Sequence, residues 1–116
     1  MAVLATHSMS STRSWFAVAV GATLPARDRP SEFRATAEGL DELKSFIAAV
    51  QKDCHALLAV ATVPDWSVMR RTHARPAPDA EPEVSAAWAI MHALEHLREH
   101  TGQMLLTRQL WERAAG

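Results

Sequence analysis

The sequence predicts an all-α protein, an up-and-down helical bundle, on three observations. Three long segments carry apolar residues at helical spacing, proline-marked connections separate them, and no segment shows the strict alternation of a half-buried strand. Long helices joined by short or moderate connections pack most simply side by side, with crossing angles near roughly 20°. The 116 residues make one domain, 1–116. At that length about two-thirds of the unfolded surface can be buried, so a core forms without disulfides.

The first helix is expected over residues 3–20. Gly21 ends it, and Pro25 and Pro30 prevent its continuation. Its apolar residues spread widely, with Val3, Leu4, Trp15 and Val18 on one arc and Met9, Phe16 and Val20 on another. The second helix is expected over residues 37–61, where Leu40, Leu43, Ile47, Val50, Cys54, Leu57 and Ala61 alternate steps of three and four. That is the seam of a helix packed along its neighbours. Gly39 and Thr36 leave its start open. The third helix is expected over residues 84–113, after a connection carrying Pro76, Pro78 and Pro82. Three helices are an odd number for such a bundle, and the first has apolar surface for more than two neighbours. The expectation is that a second subunit, or a longer form of the chain, completes the packing.

The charge balance is even, 12 basic against 13 acidic residues for a net charge of -1. With no long run of either sign, nothing marks a nucleic-acid or anionic-membrane surface. The apolar stretch Trp15–Val20 falls far short of the roughly 20 residues needed to span a bilayer. No cleavage site follows a sustained apolar run, so the chain reads as soluble and cytoplasmic. The single Cys54 agrees with a reducing compartment, because it has no internal partner. Lying on the packing seam, Cys54 reads as a small buried hydrophobe rather than a nucleophile.

The informative residues are histidines. His92, His96 and His100 recur every four residues on the third helix, each rotated about 40° and displaced about 6 Å from the last. Two histidines at this spacing present their rings side by side, the arrangement that helical metal sites use. On the helical wheel Ala93, Leu97, Met104 and Trp111 define the buried face. His100 falls beside them, His96 lies on the flank, and His92 points toward Glu95 and Glu99. The inward pair is therefore His96 with His100, and Gln103 and Thr107 continue the same polar edge. Two imidazoles alone bind an ion weakly. His7, among the small residues Ser10, Ser11 and Ser14 of the first helix, is the candidate third ligand. His55 follows a core position and is expected to face outward, and His73 sits in the loop.

These residues also carry a family resemblance. Ala5-Thr6-His7 with Arg13 and Trp15, then Arg27-Asp28-Arg29 with Glu32-Phe33, resembles the DinB-like superfamily. So does the closing run from Ala93 to Gln103, which contains Glu95-His96 and Glu99-His100, followed by Thr107-Arg108 and Leu110-Trp111. The resemblance implies a four-helix bundle with a divalent ion, often nickel or zinc, held by His7, His96 and His100. It also implies that the family's first helix is missing ahead of His7, and that a homodimer supplies the absent packing surface. Relatives with an activity look like thiol transferases using mycothiol or bacillithiol, or mycothiol-dependent maleylpyruvate isomerases.

The expected function is therefore a metal-dependent thiol S-transferase with a small-molecule substrate and a low-molecular-weight thiol cosubstrate. Arg13, nearly two turns beyond His7, is a candidate for an anionic substrate, and Gln103 for orienting His96 or His100. No catalytic residue is assigned. The competing reading is a non-catalytic module in which an ion ties the first and last helices together. A third, weaker reading uses the inverted zinc-protease pattern His-x-x-Glu-His, which both His92–His96 and His96–His100 satisfy. Its glutamates point to the charged side of the wheel.

Overall fold

The computed structural model describes residues 1–23, 27–62, 65–72 and 83–116. Pro25, His73, Pro76, Pro78 and Pro82 lie outside these residues. The elements in order are α1 (Ala2–Val20), α2 (Arg29–Glu32), α3 (Leu40–Ala59), β1 (Met69–Arg71), β2 (Glu83–Ser85) and α4 (Ala86–Ala115). The three long helices make this an all-α fold, with one small hairpin attached.

Gly21 ends α1 in the left-handed conformation at φ 72°, and the following amide of Ala22 closes on the Ala17 carbonyl at 2.9 Å. A side chain at Gly21 would be strained there, and its Cβ would also meet the Arg70 guanidinium at 2.7 Å. Arg70 reaches that position to donate from Nε to the Ala19 carbonyl at 3.3 Å, which satisfies one of the helix's last acceptors. In α2 the N-cap is Asp28, whose carboxylate accepts from the Ser31 amide, and Pro30 lies in the first turn.

Helix α3 begins at Leu40, three residues later than the sequence suggested, because Gly39 is extended. Glu42 reaches back to the Glu38 amide at 2.7 Å, and with Asp41 it puts negative charge on the first turn, where the helix dipole favours it. The end also moves, from Ala61 to Ala59. Helix α4 starts at Ala86 rather than Val84, since Val84 pairs with Arg70 in the hairpin. Ser85 caps α4 by accepting from the Trp88 amide at 3.1 Å. The first free amides, Ala86 and Ala87, donate to the carbonyls of Val68 and Trp66. The hairpin was not legible because three residues per strand are too few for alternation to register.

Helix α1 is central, with α4 packed on one side of it and α3 on the other. Alanines make the close approach possible: Ala17 and Ala19 on α1 and Ala86, Ala89 and Ala93 on α4 are all essentially buried. Val18, Ala19, Val84 and Ala89 form a core cluster at the C-terminal end of α1, flanked by Trp15 and Ile90. Of the seam expected on α3 only Val50 and Cys54 are buried, because α3 meets α1 alone along most of its length. Trp111, expected at the centre of the buried face of α4, is 70% exposed. Helix α1 has 19 residues and α4 has 30, about 28 Å against 45 Å, so α4 overhangs its partner beyond Met104. Among the described residues no helix is long and apolar enough to cross a membrane.

Candidate metal centre

His7 lies on the second turn of α1, buried, where α1 crosses the middle of α4. His96 and His100, one turn apart on α4, face it half-buried. The ring centroids are 4.4 Å apart for His96 and His100, 5.0 Å for His7 and His96, and 5.1 Å for His7 and His100. One nitrogen from each lies within 4.8 Å of the others.

The geometry fits an ion. Two nitrogens bound to one metal at about 2.05 Å and a tetrahedral angle stand about 3.3 Å apart. Nε2 of His96 and Nε2 of His100 are 3.2 Å apart. The widest gap in the set of three exceeds the ideal spacing by about 1.5 Å at most, within reach of a small ring rotation.

Protonation is arranged to match. Nδ1 of His7 donates to Oε2 of Glu32 at 2.9 Å, and Nδ1 of His100 lies 2.6 Å from Oε1 of Gln103, an acceptor. Each bond places the ring proton on Nδ1 and leaves the Nε2 lone pair for a metal. His96 has no such partner: its Nδ1 is buried without a hydrogen bond, and its Nε2 is the donor to the bare Nε2 of His100 at 3.2 Å, a proton that an ion bound there would displace. Burial, followed by the neighbouring His100, His7 and His92 and then Arg27, pushes the His96 pKa from 6.5 down to about 4. Its imidazole is thus neutral at physiological pH, the state that binds metal.

Behind His7 stands a charged pair that the sequence reading did not assign to the site. Glu32, only 4% exposed, receives both Nε of Arg27 at 2.5 Å and Nη2 at 2.7 Å, a bidentate fork. Burial raises the Glu32 pKa, but the hydrogen bonds and charges of Arg27 and His7 outweigh it and hold the carboxyl below its ordinary value of 4.5. The Phe33 ring packs on His7 at 4.8 Å, and Arg29 stacks over Phe33 at 5.5 Å.

The remaining candidates fall elsewhere. His92 does not face Glu95 and Glu99 as the wheel suggested. It stacks on Trp88 at 4.6 Å and meets the edge of Trp15 at 4.8 Å, because these two large rings reach around the flank of α4. Glu95 and Glu99 are exposed and stand apart from the three histidines, so the geometry does not assemble the inverted protease motif. Arg13 pairs with Asp53 of α3 at 2.9 Å. Gln103 contacts His100, not His96, and the Thr107 hydroxyl turns to the Gln103 backbone carbonyl. His55 is exposed. Cys54 is buried, and burial, reinforced by the Asp53 charge, pushes its thiol pKa up despite Arg13.

A bundle with three inward histidines from two crossing helices defines a candidate metal-binding class of helical protein. The chain belongs to the DinB superfamily, whose family model matches residues 2–104, every element here except the last three turns of α4. Comparison with curated proteins and with solved structures gives no match.

Proposed function

We propose that His7, His96 and His100 hold a divalent ion, nickel or zinc, and that the chain is a metal-dependent thiol S-transferase. The cosubstrate is a low-molecular-weight thiol of the mycothiol or bacillithiol type. The observation that carries the reading is the convergence of the three imidazoles, with the His96 and His100 Nε2 atoms 3.2 Å apart.

A divalent ion held by three neutral ligands keeps positions open for exogenous groups and favours the thiolate form of a thiol at neutral pH. The chain's own residues do the rest. Glu32 and Gln103 aim the rings of His7 and His100, and burial keeps the His96 imidazole neutral. Cys54 is not the nucleophile, because it is enclosed on the α3 seam with its thiol held protonated. The sulfur therefore comes with the cosubstrate, which suits a reducing cytoplasm. A second copy of the chain is proposed to cover the overhang of α4, where Leu105, Leu106, Leu110 and Trp111 are all more than half exposed.

Metal analysis of the purified protein, with thiol-dependent turnover of the loaded form, tests the reading. Turnover abolished in a folded His100→Ala variant supports catalysis. Unfolding on metal removal with no turnover by the loaded protein identifies instead the metal-stabilised module that ligands on two helices would also serve. Unchanged metal content in both His7→Ala and His96→Ala removes the metal centre altogether.

A further inference from the structure

We infer that Glu32, clamped by Arg27, is the positioning residue of the metal centre, and that it acts by locking His7 in the Nδ1–H tautomer. The inference rests on the metal-centre reading in its consequence for affinity, but its structural core concerns His7 alone.

The three histidines are not held alike. His100 is oriented by the neutral amide of Gln103, an exposed residue on its own helix, and His96 has no partner at Nδ1. His7 is met by a buried carboxylate from a different segment, 25 residues along the chain. That carboxylate is committed on both sides. Arg27 takes both oxygens through its fork, while Oε2 also accepts from His7. A carboxylate has no proton to give, so Nδ1 of His7 is the donor across the 2.9 Å contact, and the longer 3.4 Å approach of Arg27 Nη2 to the same nitrogen is donor against donor and yields to it. The Arg27 fork supplies the compensating charge that allows Glu32 to remain ionised inside the protein. Glu32 is also the last residue of α2, so the same contact straps this short helix to α1. Carboxylates behind a ligating imidazole raise its basicity and fix its aim, and their loss costs roughly 10–100-fold in metal affinity.

The decisive substitution is Glu32→Gln. The amide keeps the side chain's shape but has one acceptor oxygen, which the Arg27 donors claim, so its NH2 group turns toward His7. The Nδ1 atom must then accept, and the proton moves to Nε2, where it blocks ligation. Long-range proton–nitrogen NMR of the metal-free protein is expected to show His7 as the Nδ1–H tautomer in the parent chain and as Nε2–H in Glu32→Gln. Titration with zinc alone against a chromogenic chelator is expected to show affinity lower by about 10–100-fold in Glu32→Gln. The same change made in a His7→Ala chain is expected to alter affinity less than twofold, because its effect passes through His7.

An Nε2–H tautomer in the parent chain overturns the inference, whether or not Glu32→Gln folds. So does equal zinc affinity with and without Glu32→Gln, or an equal loss in the His7→Ala chain, which would mean that Glu32 supports the fold in general. A parent chain with Nδ1–H and no zinc binding would refute the metal centre while leaving the control of His7 by Glu32 in place.

Discussion

Replacing His96 by leucine is expected to make the metal-free protein more stable and the metal-loaded protein less so. In the absence of an ion His96 is a cost: its Nδ1 is buried without a hydrogen-bond partner, and its ring is crowded by three other histidines and Arg27. A buried polar group without a partner costs about 1–3 kcal/mol. Because the residue as a whole is only half-buried, the low end applies, so His96→Leu gains about 1 kcal/mol in chelator, or roughly 3–6 °C in Tm for a chain of this size. With an ion at a hundredfold excess over its Kd the parent gains about 2.7 kcal/mol, most of which a two-histidine site forfeits. The two stabilities therefore cross, the variant ahead in chelator and the parent ahead by about 1.5 kcal/mol with metal. Urea denaturation followed by circular dichroism, with and without zinc, measures both differences. A variant that is less stable than the parent in chelator and keeps the full zinc increment would refute the reasoning.

The pH dependence of the metal-free fold follows from the same residues. His96 titrates at about 4 in the folded chain against 6.5 ordinarily, so the unfolded chain takes up that proton first and stability falls as pH drops from 6.5 toward 4. Glu32 adds a second decline: its contribution is full above 4.5 and is lost as pH falls through its lower folded value. Urea midpoints in chelator across this range check both, and His96→Leu is expected to remove the upper limb alone. In the apolar cluster, Ala89→Leu forces a larger side chain between Val18, Ala19 and Val84 and is expected to cost about 1–3 kcal/mol in the same assay. Trp111→Glu, by contrast, changes an exposed position. It is expected to leave unfolding of the monomer within about 0.5 kcal/mol, and the proposed covering of this overhang by a second copy predicts a lower mass by light scattering for the variant than for the parent at equal concentration.

The pairing of His96 with His100 could be read from sequence because helical spacing translates directly into direction, whereas His7 joined them through the family resemblance, and the structure brings the three together. A four-residue step puts His96 and His100 on one edge, while the small residues around His7 offer room for an ion without fixing which helix faces it. The same wheel failed for His92 and Trp111, each for a reason that one helix cannot reveal. His92 is captured by Trp15 and Trp88, whose size lets them reach around the flank. Trp111 continues the buried face in angle but lies past the end of the helix that would bury it. Glu32 and Arg27 gave no periodic signal, since α2 is a single turn whose role depends on a contact 25 residues away. The seam on α3 was overread because alternating threes and fours show which face is apolar, not how many neighbours cover it.

The burial along α1 suggests why the histidines stand where they do. Its C-terminal half buries Ala17, Val18 and Ala19, against the apolar cluster with Val84 and Ala89. Its N-terminal half buries Ala5, His7, Ser8, Ser11 and Thr12, with Glu32 brought in behind His7. Ser8 and Thr12 spend their hydroxyls on carbonyls of their own helix, which satisfies them without binding α1 to α4. At that end the ring of His7 faces those of His96 and His100 across the two helices, and Ala5 is the one buried apolar residue on that half of α1. An ion shared by His7, His96 and His100 would supply there the cohesion that alanine and valine packing supplies at the other end. Ligation and folding would then share one free energy at this end of the bundle, and an ion bound there would also hold α1 to α4.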